Sequence, residues 1–447
     1  MQSWAEEEFS GASLGDKRLN RRLIEVARTL GDKPTASIPS ACGGWADTQA
    51  TYRFFDQASG GKKNLGWEDA LAPHLVHTQT RMGQHSVVLC IQDTTELDFE
   101  GKQTQGLGPL SYEPQRGMYL HPSYAVTPQR EPLGVLDAWM WAREPKDPSG
   151  KRPGLRESTR WIEGYERIAE LAQTLPNTRL VYVADREADI LALLQRAHAL
   201  GTPADWLIRS QHNRSLPEGG KLWEQVDTQA SLGEIEFTLP ARPGHAQRQV
   251  RQQLKAHHTE LDDGKGGKFP VTCLIAREIN PPTEKDCIEW RLLTNRPIHS
   301  QKEAKELIDW YRCRWEIETF FHTLKNGYKV EGLQLGSIAK LELALAVYMV
   351  SAWRLARLIQ RARVEPELDR SLFFSEDEWK SAYILDKKPI PKKPPKLREL
   401  IRLIAKRGGF LGRKGDGEPG VKTLWQGFME IRTFASGLAY MRSSNAI

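Results

Sequence analysis

Carboxylates at the ends of apolar runs are the residues of this chain best suited to chemistry. Asp93 follows the apolar run 86–92, and Asp185 follows the apolar run 180–184. Such runs predict buried strands, and the carboxyl ends of strands are where open α/β sheets expose functional groups. Taken singly, an aspartate in this position is as often a helix N-cap as a metal ligand.

A polar stripe on an otherwise apolar helix supplies a third carboxylate. The pattern predicts a long helix from about 301 to 325. At 100° per residue, four polar residues fall within about a 60° arc of this helix: Tyr311, Arg314, Glu318 and Lys325. Such a stripe must be paired or must line a site. The alternative is a surface stripe with a weak ion pair between Arg314 and Glu318.

The three carboxylates together predict a metal site. Asp93, Asp185 and Glu318 would form an all-oxygen site, which suits Mg²⁺ or Mn²⁺ rather than zinc. Two such ions about 4 Å apart activate a water or a 3′-hydroxyl on one side and stabilise the leaving oxygen on the other. Phosphodiester transfer is the reaction that needs this arrangement.

The elements that must position these residues fall into three parts. The chain has 447 residues, and about 150 residues per domain gives roughly three folding units. The pattern is helical over 1–70, and it alternates between strands and helices over 71–330. Within that second part, the polar, glycine-rich stretch of about 213–297 reads as a β-rich insertion. Residues 331–447 are predicted to be mainly helical.

Positive charge is concentrated near the C-terminus. The net charge is +6, but the stretch from Lys387 to Lys414 holds eleven Lys or Arg and one acid, a local charge of +10. The rest of the chain therefore carries −4. Such a segment indicates an anionic partner, and nucleic acid is the obvious one. A turn is predicted over 413–420, and its function cannot be inferred from the sequence.

Several classes of protein are disfavoured. No run approaches 18 apolar residues, and the N-terminus is acidic, so neither a membrane span nor a secretory signal is expected. A cytosolic location is the expectation. The five cysteines form no C-x-x-C pair, so neither disulfides nor zinc are indicated. A P-loop is absent from the sequence, so no nucleotide cofactor is expected.

The spacing Tyr311-x2-Arg314-x3-Glu318-x6-Lys325 resembles the Y-R-E-K signature of bacterial DDE transposases of the insertion-sequence IS4 group. The resemblance covers nearly the whole chain in order. Further matching segments are Asp93-Thr-Thr, Asp185-Arg-Glu-Ala-Asp-Ile190, Ile208-Arg-Ser210, Glu278-Ile-Asn-Pro-Pro282, Trp290-x-Leu-Leu-Thr294 and Gly408-Gly-Phe410.

The resemblance implies a multi-domain α/β fold. An RNase H-like catalytic core with a β-rich insertion would be flanked by helical N- and C-terminal domains. The N-terminal domain would bind transposon ends, and the C-terminal domain would mediate dimerisation and contact DNA. Asp93, Asp185 and Glu318 would be the catalytic residues, and they would hold two Mg²⁺ or Mn²⁺ ions.

The implied activity is cut-and-paste transposition of double-stranded DNA by a homodimer on paired ends. Cleavage would free a 3′-hydroxyl, which attacks the opposite strand to form a hairpin. The hairpin is then reopened, and the ends are joined to target DNA. The residues expected to contact DNA near the scissile phosphate are Tyr311, Arg314, Lys325 and Arg209.

Two further groups of residues are expected at the DNA. Trp290 and Trp315 are candidates for stacking on a flipped base, which would recover part of the cost of unstacking. Packing in the core is the alternative for both rings. Arg18, Arg22 and Arg53 are expected as phosphate contacts of the N-terminal domain.

Two other functions remain open on the sequence. The chain would act mainly as a DNA-end-binding regulator or inhibitor of transposition if its catalytic function had decayed. Alternatively, it would be a metal-dependent nuclease without strand transfer. Such a nuclease would use the same carboxylates but would not need Trp290 as a stacking residue.

Overall fold

A computed structural model describes most of the chain. The described residues are 3–34, 36–58, 64–99, 103–239, 247–263, 266–364, 374–413, 419 and 421–443.

The N-terminal part is helical, as predicted. Asp16 caps the second helix, because its side chain accepts the Arg18 backbone N–H at 2.8 Å. Leu23, Val26 and Leu30 lie on one face of that helix and are buried. The helices are α1 (Trp4–Phe9), α2 (Lys17–Asp32), α3 (Ile38–Ala41), α4 (Trp45–Phe55) and α5 (Trp67–Met82).

A mixed sheet follows, and its central strands are almost entirely buried. Strands buried on both faces are continuous apolar runs rather than alternating ones, which is why these segments could be recognised in the sequence. The strands are β1 (Val87–Gln92), β2 (Thr95–Asp98), β3 (Gly108–Pro109), β4 (Arg116–Val126), β5 (Pro132–Trp141), β6 (Arg179–Ala184) and β7 (Asp205–Arg209). The helices between them are α6 (Thr159–Thr174) and α7 (Leu191–Ala199).

The order of the strands is that of an RNase H-like core. β5 pairs with β4 and β4 pairs with β1, both antiparallel, whereas β1, β6 and β7 are parallel neighbours. In the parallel register Gln92 lies opposite Ala184. The residues that follow them, Asp93 and Asp185, therefore leave the sheet at the same edge.

The segment predicted as a β-rich insertion extends this sheet. β11 pairs antiparallel with β7, and β10, β9 and β8 continue outward in that order. The elements are α8 (Leu222–Asp227), β8 (Gly233–Leu239), β9 (Arg248–Asp262), β10 (Lys268–Glu278) and β11 (Glu289–Thr294).

The continuous helix predicted from about 301 to 325 is wrong. The segment forms α9 (Gln301–Arg312) and α10 (Trp315–His322), followed by a π-helical turn at Thr323–Gly327. At the break, the amides of Cys313 and Arg314 bond to carbonyls three residues earlier. Apolar periodicity continues across such a tightened turn, so the sequence pattern does not reveal it.

The C-terminal part is helical in the described residues. Its helices are α11 (Ile338–Val364), α12 (Glu376–Leu385), α13 (Leu397–Arg407) and α14 (Val421–Ser443). The lysine-rich loop 387–396 connects α12 to α13. Lys414 lies outside the described residues. Of the turn predicted over 413–420, only residues 413 and 419 are described. No described helix is long and apolar enough to cross a membrane.

A buried polar network joins the N-terminal helices to the core. Glu8 on α1 contacts His74 Nδ1 at 2.6 Å and accepts a hydrogen bond from Arg81 at 2.7 Å, both on α5. The Val135 N–H on β5 donates to His74 Nε2 at 3.1 Å. The Arg81 guanidinium also lies 4.2 Å from the ring centre of Trp353 on α11. The network therefore fixes α1 against three elements.

We expect Glu8→Gln to lower the free energy of unfolding by about 3–5 kcal/mol, because Arg81 would remain buried without its partner. Burial raises the pKa of Glu8, but His74 and Arg81 more than offset it and lower that pKa from 4.5 to about 2. The stabilisation is therefore complete above about pH 4.5 and is lost as the pH falls toward 2.

Urea unfolding at pH 7 and pH 3 measures this effect. The matched control is Glu7→Gln, which changes the exposed neighbour on the same helix. Equal loss of stability in the two variants would contradict the account of the network.

Candidate active site

Asp93 and Asp185 are placed by the ends of two parallel strands. The Thr94 N–H donates to Asp93 Oδ1 at 2.8 Å, and the Glu187 N–H donates to Asp185 Oδ1 at 2.8 Å. The Asp185 side chain thus caps the short 3₁₀ turn that follows β6, as the simpler interpretation suggested, whereas Asp93 is followed by β2 and caps no helix. The second oxygen of Asp93, Oδ2, is bonded to Arg314.

Glu318 reaches the same place from the first turn of α10. Arg314 connects it to Asp93: its Nη1 donates to Asp93 Oδ2 at 2.7 Å, and its Nη2 donates to Glu318 Oε1 at 2.6 Å. The ion pair between Arg314 and Glu318 therefore exists, but it is part of a partly buried cluster rather than a surface stripe: the Glu318 side chain is 40% exposed. The Arg314 side chain is only 11% exposed.

The three carboxylates interact electrostatically. Burial raises the pKa of Asp93 to about 6; Arg314 opposes this shift, whereas Asp185 and Glu318 add to it. An ionised Asp93 is thus less stable here than in water, because negative charge accumulates in a poorly solvated place. A cation bound at this point would relieve the repulsion.

The donor set fits a hard divalent ion. Asp93, Asp185 and Glu318 offer carboxylate oxygens, the ligands that Mg²⁺ and Mn²⁺ prefer. Within the described part of the chain, no three acidic, histidine or cysteine side chains lie close enough together to hold a metal ion as they stand. In this arrangement the Arg314 guanidinium is hydrogen-bonded to two of the three carboxylates.

Tyr311 and Arg209 lie beside the carboxylates. Burial raises the pKa of Tyr311. The positive charges of Arg314 and Arg209 oppose this rise, and the negative charge of Asp185 adds to it. Tyr311 is in the last turn of α9, and Arg209 is the last residue of β7. Two elements besides β1, β6 and α10 therefore contribute polar groups to this site.

Lys325 is placed differently from the other members of the predicted stripe. It lies in the π-helical turn, and its Nζ is 4.0 Å from Glu331 Oε1. That carboxylate also accepts the Asp98 N–H at 3.0 Å. π-helical turns occur frequently at functional sites, and this one directs Lys325 toward β2.

The two candidate tryptophans have different surroundings. Trp290 is half-buried and stacks on Phe237, with ring centres 5.6 Å apart and planes inclined by 14°. The Arg312 guanidinium lies 5.0 Å from the Phe237 ring centre. Trp315 is 59% exposed, so core packing is the wrong interpretation for that ring.

The three N-terminal arginines lie on the surface. Arg18 is almost fully exposed and pairs with Asp16 at 3.3 Å. Arg22 pairs with Glu25 at 2.8 Å, and Arg53 is exposed near the end of α4. These weak surface pairs would exchange readily for phosphate contacts, but a role in DNA binding remains a prediction.

Two positioning contacts were not predicted from the sequence. A hydrogen bond of 2.7 Å joins Thr94 Oγ1 to Nδ1 of His121, which is fully buried on β4. In the second contact, Asp189 is buried, pairs with Arg214 at 2.5 Å and accepts the His212 N–H. A histidine within the apolar run of β4 was the available signal for the first contact.

Three family models match successive parts of the chain. The model described as Transposase DNA-binding matches residues 1–59. The model of the Transposase DDE domain matches residues 163–353, and the model of the Transposase Tn5 dimerisation domain matches residues 350–447. The second match contains Asp185 and Glu318.

These matches define the class of protein. The chain is a DDE transposase, an enzyme that cleaves DNA, transfers strands and depends on divalent metal ions. More narrowly, it belongs to the Tn5-like transposases and is consistent with the bacterial IS4 group. Its DNA-binding and dimerisation domains make DNA and a second subunit its partners.

Among solved structures, the chain has a remote similarity to the cryo-EM structure of the piggyBac transposase synaptic complex with hairpin DNA, at 10% sequence identity and a TM-score of 0.40. The similarity covers 99% of this chain and 80% of that one.

Proposed function

We propose that Asp93, Asp185 and Glu318 are the catalytic metal ligands of a cut-and-paste transposase. The observation that carries this proposal is the parallel register of β1 and β6, which brings the two aspartates to one edge of the sheet. Arg314 links Glu318 to the same place through two hydrogen bonds. The cofactor would be two Mg²⁺ or Mn²⁺ ions, which supply Lewis acidity at the attacking and leaving oxygens.

The proposed reaction consists of successive phosphoryl transfers. Water attacks a phosphodiester at the transposon end, and the leaving group is a 3′-hydroxyl. That hydroxyl attacks the opposite strand, forming one P–O bond and breaking another to give a hairpin. A second hydrolysis opens the hairpin, and the same 3′-hydroxyl then attacks target DNA. No oxidant or nucleotide cofactor is needed for any step.

The remaining polar residues of the site are proposed to hold DNA. Arg209 and Tyr311 lie beside the carboxylates, where a scissile phosphate would be. Arg314 offers a planar pair of donors that suits a phosphate. Lys325 would contact the backbone farther along, from its turn near β2. Trp315 has an exposed ring adjacent to this cluster.

The three parts of the chain are proposed as three domains. Residues 1–70 would bind the transposon ends through Arg18, Arg22 and Arg53. Residues 71–330 would form the catalytic domain, with the insertion of about 213–297 carrying Trp290. Residues 331–447 would pair two subunits on two ends and contact DNA. The proposed setting is the bacterial cytoplasm, at the nucleoid.

An assay with the DNA that borders the gene tests this function. Inverted repeats from those borders, incubated with the chain and Mg²⁺ or Mn²⁺, should give a nick, then a hairpin, then joined product. Chelation by EDTA should stop all three. End binding without cleavage would favour a regulator, and cleavage without hairpin or joining would favour a simple nuclease.

We expect Trp290→Ala to slow hairpin formation about 10-fold or more while first-strand nicking stays near the wild-type rate. Base stacking on an aromatic ring is worth about 1–3 kcal/mol, and only the hairpin step requires a strand to turn sharply. Quenched-flow separation of the nicked and hairpin species measures both rates. Trp290→Phe, which keeps an aromatic ring, is the matched control. Equal slowing of both steps by Trp290→Ala would mean that the ring serves only to pack against Phe237.

A further inference from the structure

Arg314 uses its two terminal nitrogens on two members of the carboxylate cluster. Nη1 donates to Asp93 Oδ2 and Nη2 donates to Glu318 Oε1, at 2.7 and 2.6 Å. The residue is 9% exposed, and its Nε is buried without a hydrogen-bond partner among the described residues. Besides the two carboxylates, the guanidinium interacts with the Tyr311 hydroxyl and lies 5.8 Å from the ring centre of Trp315.

Asp93 has little capacity left for a further cation. Its Oδ1 accepts the Thr94 N–H, and its Oδ2 accepts from Arg314. Two oxygens that share one Mg²⁺ lie at most about 4.2 Å apart, because each is about 2.1 Å from the ion. A guanidinium bonded to Asp93 and Glu318 carries positive charge at the place where such an ion would have to enter. Arginine and metal therefore compete for the same oxygens.

A DNA phosphate is the anion that would draw Arg314 away. Arginine binds phosphate oxygens through the same planar pair of N–H groups that it uses here on carboxylates. A scissile phosphate would bring its own negative charge to this site and replace both carboxylates as the partner of Arg314. Asp93 and Glu318 would then be free to take up divalent cations.

We propose that Arg314 gates metal loading: in DNA-free enzyme its guanidinium occupies the anionic site of Asp93 and Glu318, and a DNA phosphate must release it before divalent ions bind there. This inference rests on the proposed function, because it takes these carboxylates as the ligands. Metal and DNA binding are then positively coupled, and linkage requires the coupling to be reciprocal. The enzyme would remain metal-poor, and thus unable to cut, until an end is bound.

Binding of Mn²⁺ to the DNA-free chain, followed by the EPR signal of free Mn²⁺, tests the gate without reference to activity. We expect Arg314→Gln to bind Mn²⁺ at least tenfold more tightly than the wild type. The matched control is Arg209→Gln, which removes the same charge beside the site without breaking a bond to Asp93 or Glu318. Its Mn²⁺ affinity should rise less than threefold. The double variant Arg314→Gln/Glu318→Gln should lose the gain. Equal Mn²⁺ affinity of wild type and Arg314→Gln would overturn the gate.

A second measurement adds a pre-cleaved terminal-repeat duplex that ends in a 3′-dideoxynucleotide, so that no reaction follows. In the wild type this DNA should raise Mn²⁺ affinity at least tenfold, and in Arg314→Gln most of that increase should vanish. The same increase in both proteins would contradict the gate. If Arg314→Gln fails to fold, Arg314→Lys replaces it. The ammonium lacks the planar pair of donors that fits both carboxylates at once, so DNA-free Mn²⁺ affinity should still rise severalfold, and no rise would overturn the gate. Loss of the gate leaves the proposed function intact, since that function is tested separately by cleavage.

Discussion

Asp93→Asn, Asp185→Asn and Glu318→Gln should each reduce first-strand cleavage by about 10³-fold or more. Lewis-acid stabilisation by a bound ion is worth several kcal/mol, and each 1.36 kcal/mol is a factor of ten in rate. The amide keeps the shape of each side chain but removes the negative charge that a divalent ion requires. Binding of the terminal repeat should change less than about threefold, because the N-terminal domain carries it. Gel-resolved cleavage and electrophoretic mobility shifts measure the two effects on the same preparations.

Glu187→Gln is the matched control for these three variants. Glu187 is exposed on the turn that Asp185 caps, and its hydrogen bond to Asp185 is made by its backbone N–H, which the substitution keeps. The rate of first-strand cleavage by Glu187→Gln should be within about twofold of the wild-type rate. Equal loss of cleavage and of end binding in the triad variants would contradict the assignment of the metal ligands.

Neutralising the lysine-rich loop should weaken the salt dependence of DNA binding. Lys387, Lys392 and Lys393 are exposed in the connection between α12 and α13. If each contacts a phosphate, the triple substitution to Gln should lower the slope of log K against log[salt] by about 2.7, since each contact contributes about 0.9. Between 50 and 200 mM salt the wild type would then lose about 40-fold more affinity than the variant.

The control carries the same change of charge elsewhere. Lys146, Lys151 and Lys221 are exposed lysines of the catalytic region, and their triple substitution to Gln should leave the slope nearly unchanged. Fluorescence anisotropy with the terminal-repeat duplex at four salt concentrations gives both slopes. A slope that is unaltered in the loop variant, or lowered equally in the control, would remove the loop from the DNA interface.

The strands that precede the two aspartates could be predicted because a strand buried on both faces is a continuous run of apolar residues. β1 and β6 are mostly apolar, and the residue directly after each strand is an aspartate, Asp93 or Asp185. The helical N- and C-terminal parts and the α/β core were predicted for similar reasons. The pairing of β11 with β7, which fuses the insertion to the central sheet, depends on contacts between distant segments that no local pattern encodes.

The geometry around Arg314 could not be obtained from the sequence. Regular helical spacing predicted an uninterrupted helix, whereas the chain tightens at Cys313 and Arg314 and starts a new helix at Trp315. Tyr311, Arg314 and Glu318 still converge across this turn, whereas Lys325 is directed elsewhere. The bond from Arg314 to Asp93 joins residues 221 positions apart. Likewise, nothing in the sequence indicated that Phe237 would stack on Trp290.

A change of metal preference is the sharpest test that Asp93, Asp185 and Glu318 bind the catalytic metal ions. Replacing Asp185 by Cys supplies a softer sulfur ligand, which Mn²⁺ accepts far better than Mg²⁺ does. Asp185→Cys should therefore cleave the terminal repeat with Mn²⁺ but not with Mg²⁺, whereas Asp185→Ser should be inactive with both. Undiminished cleavage by Asp185→Cys in Mg²⁺, or equal rescue of Asp185→Ser by Mn²⁺, would contradict direct metal ligation at this position.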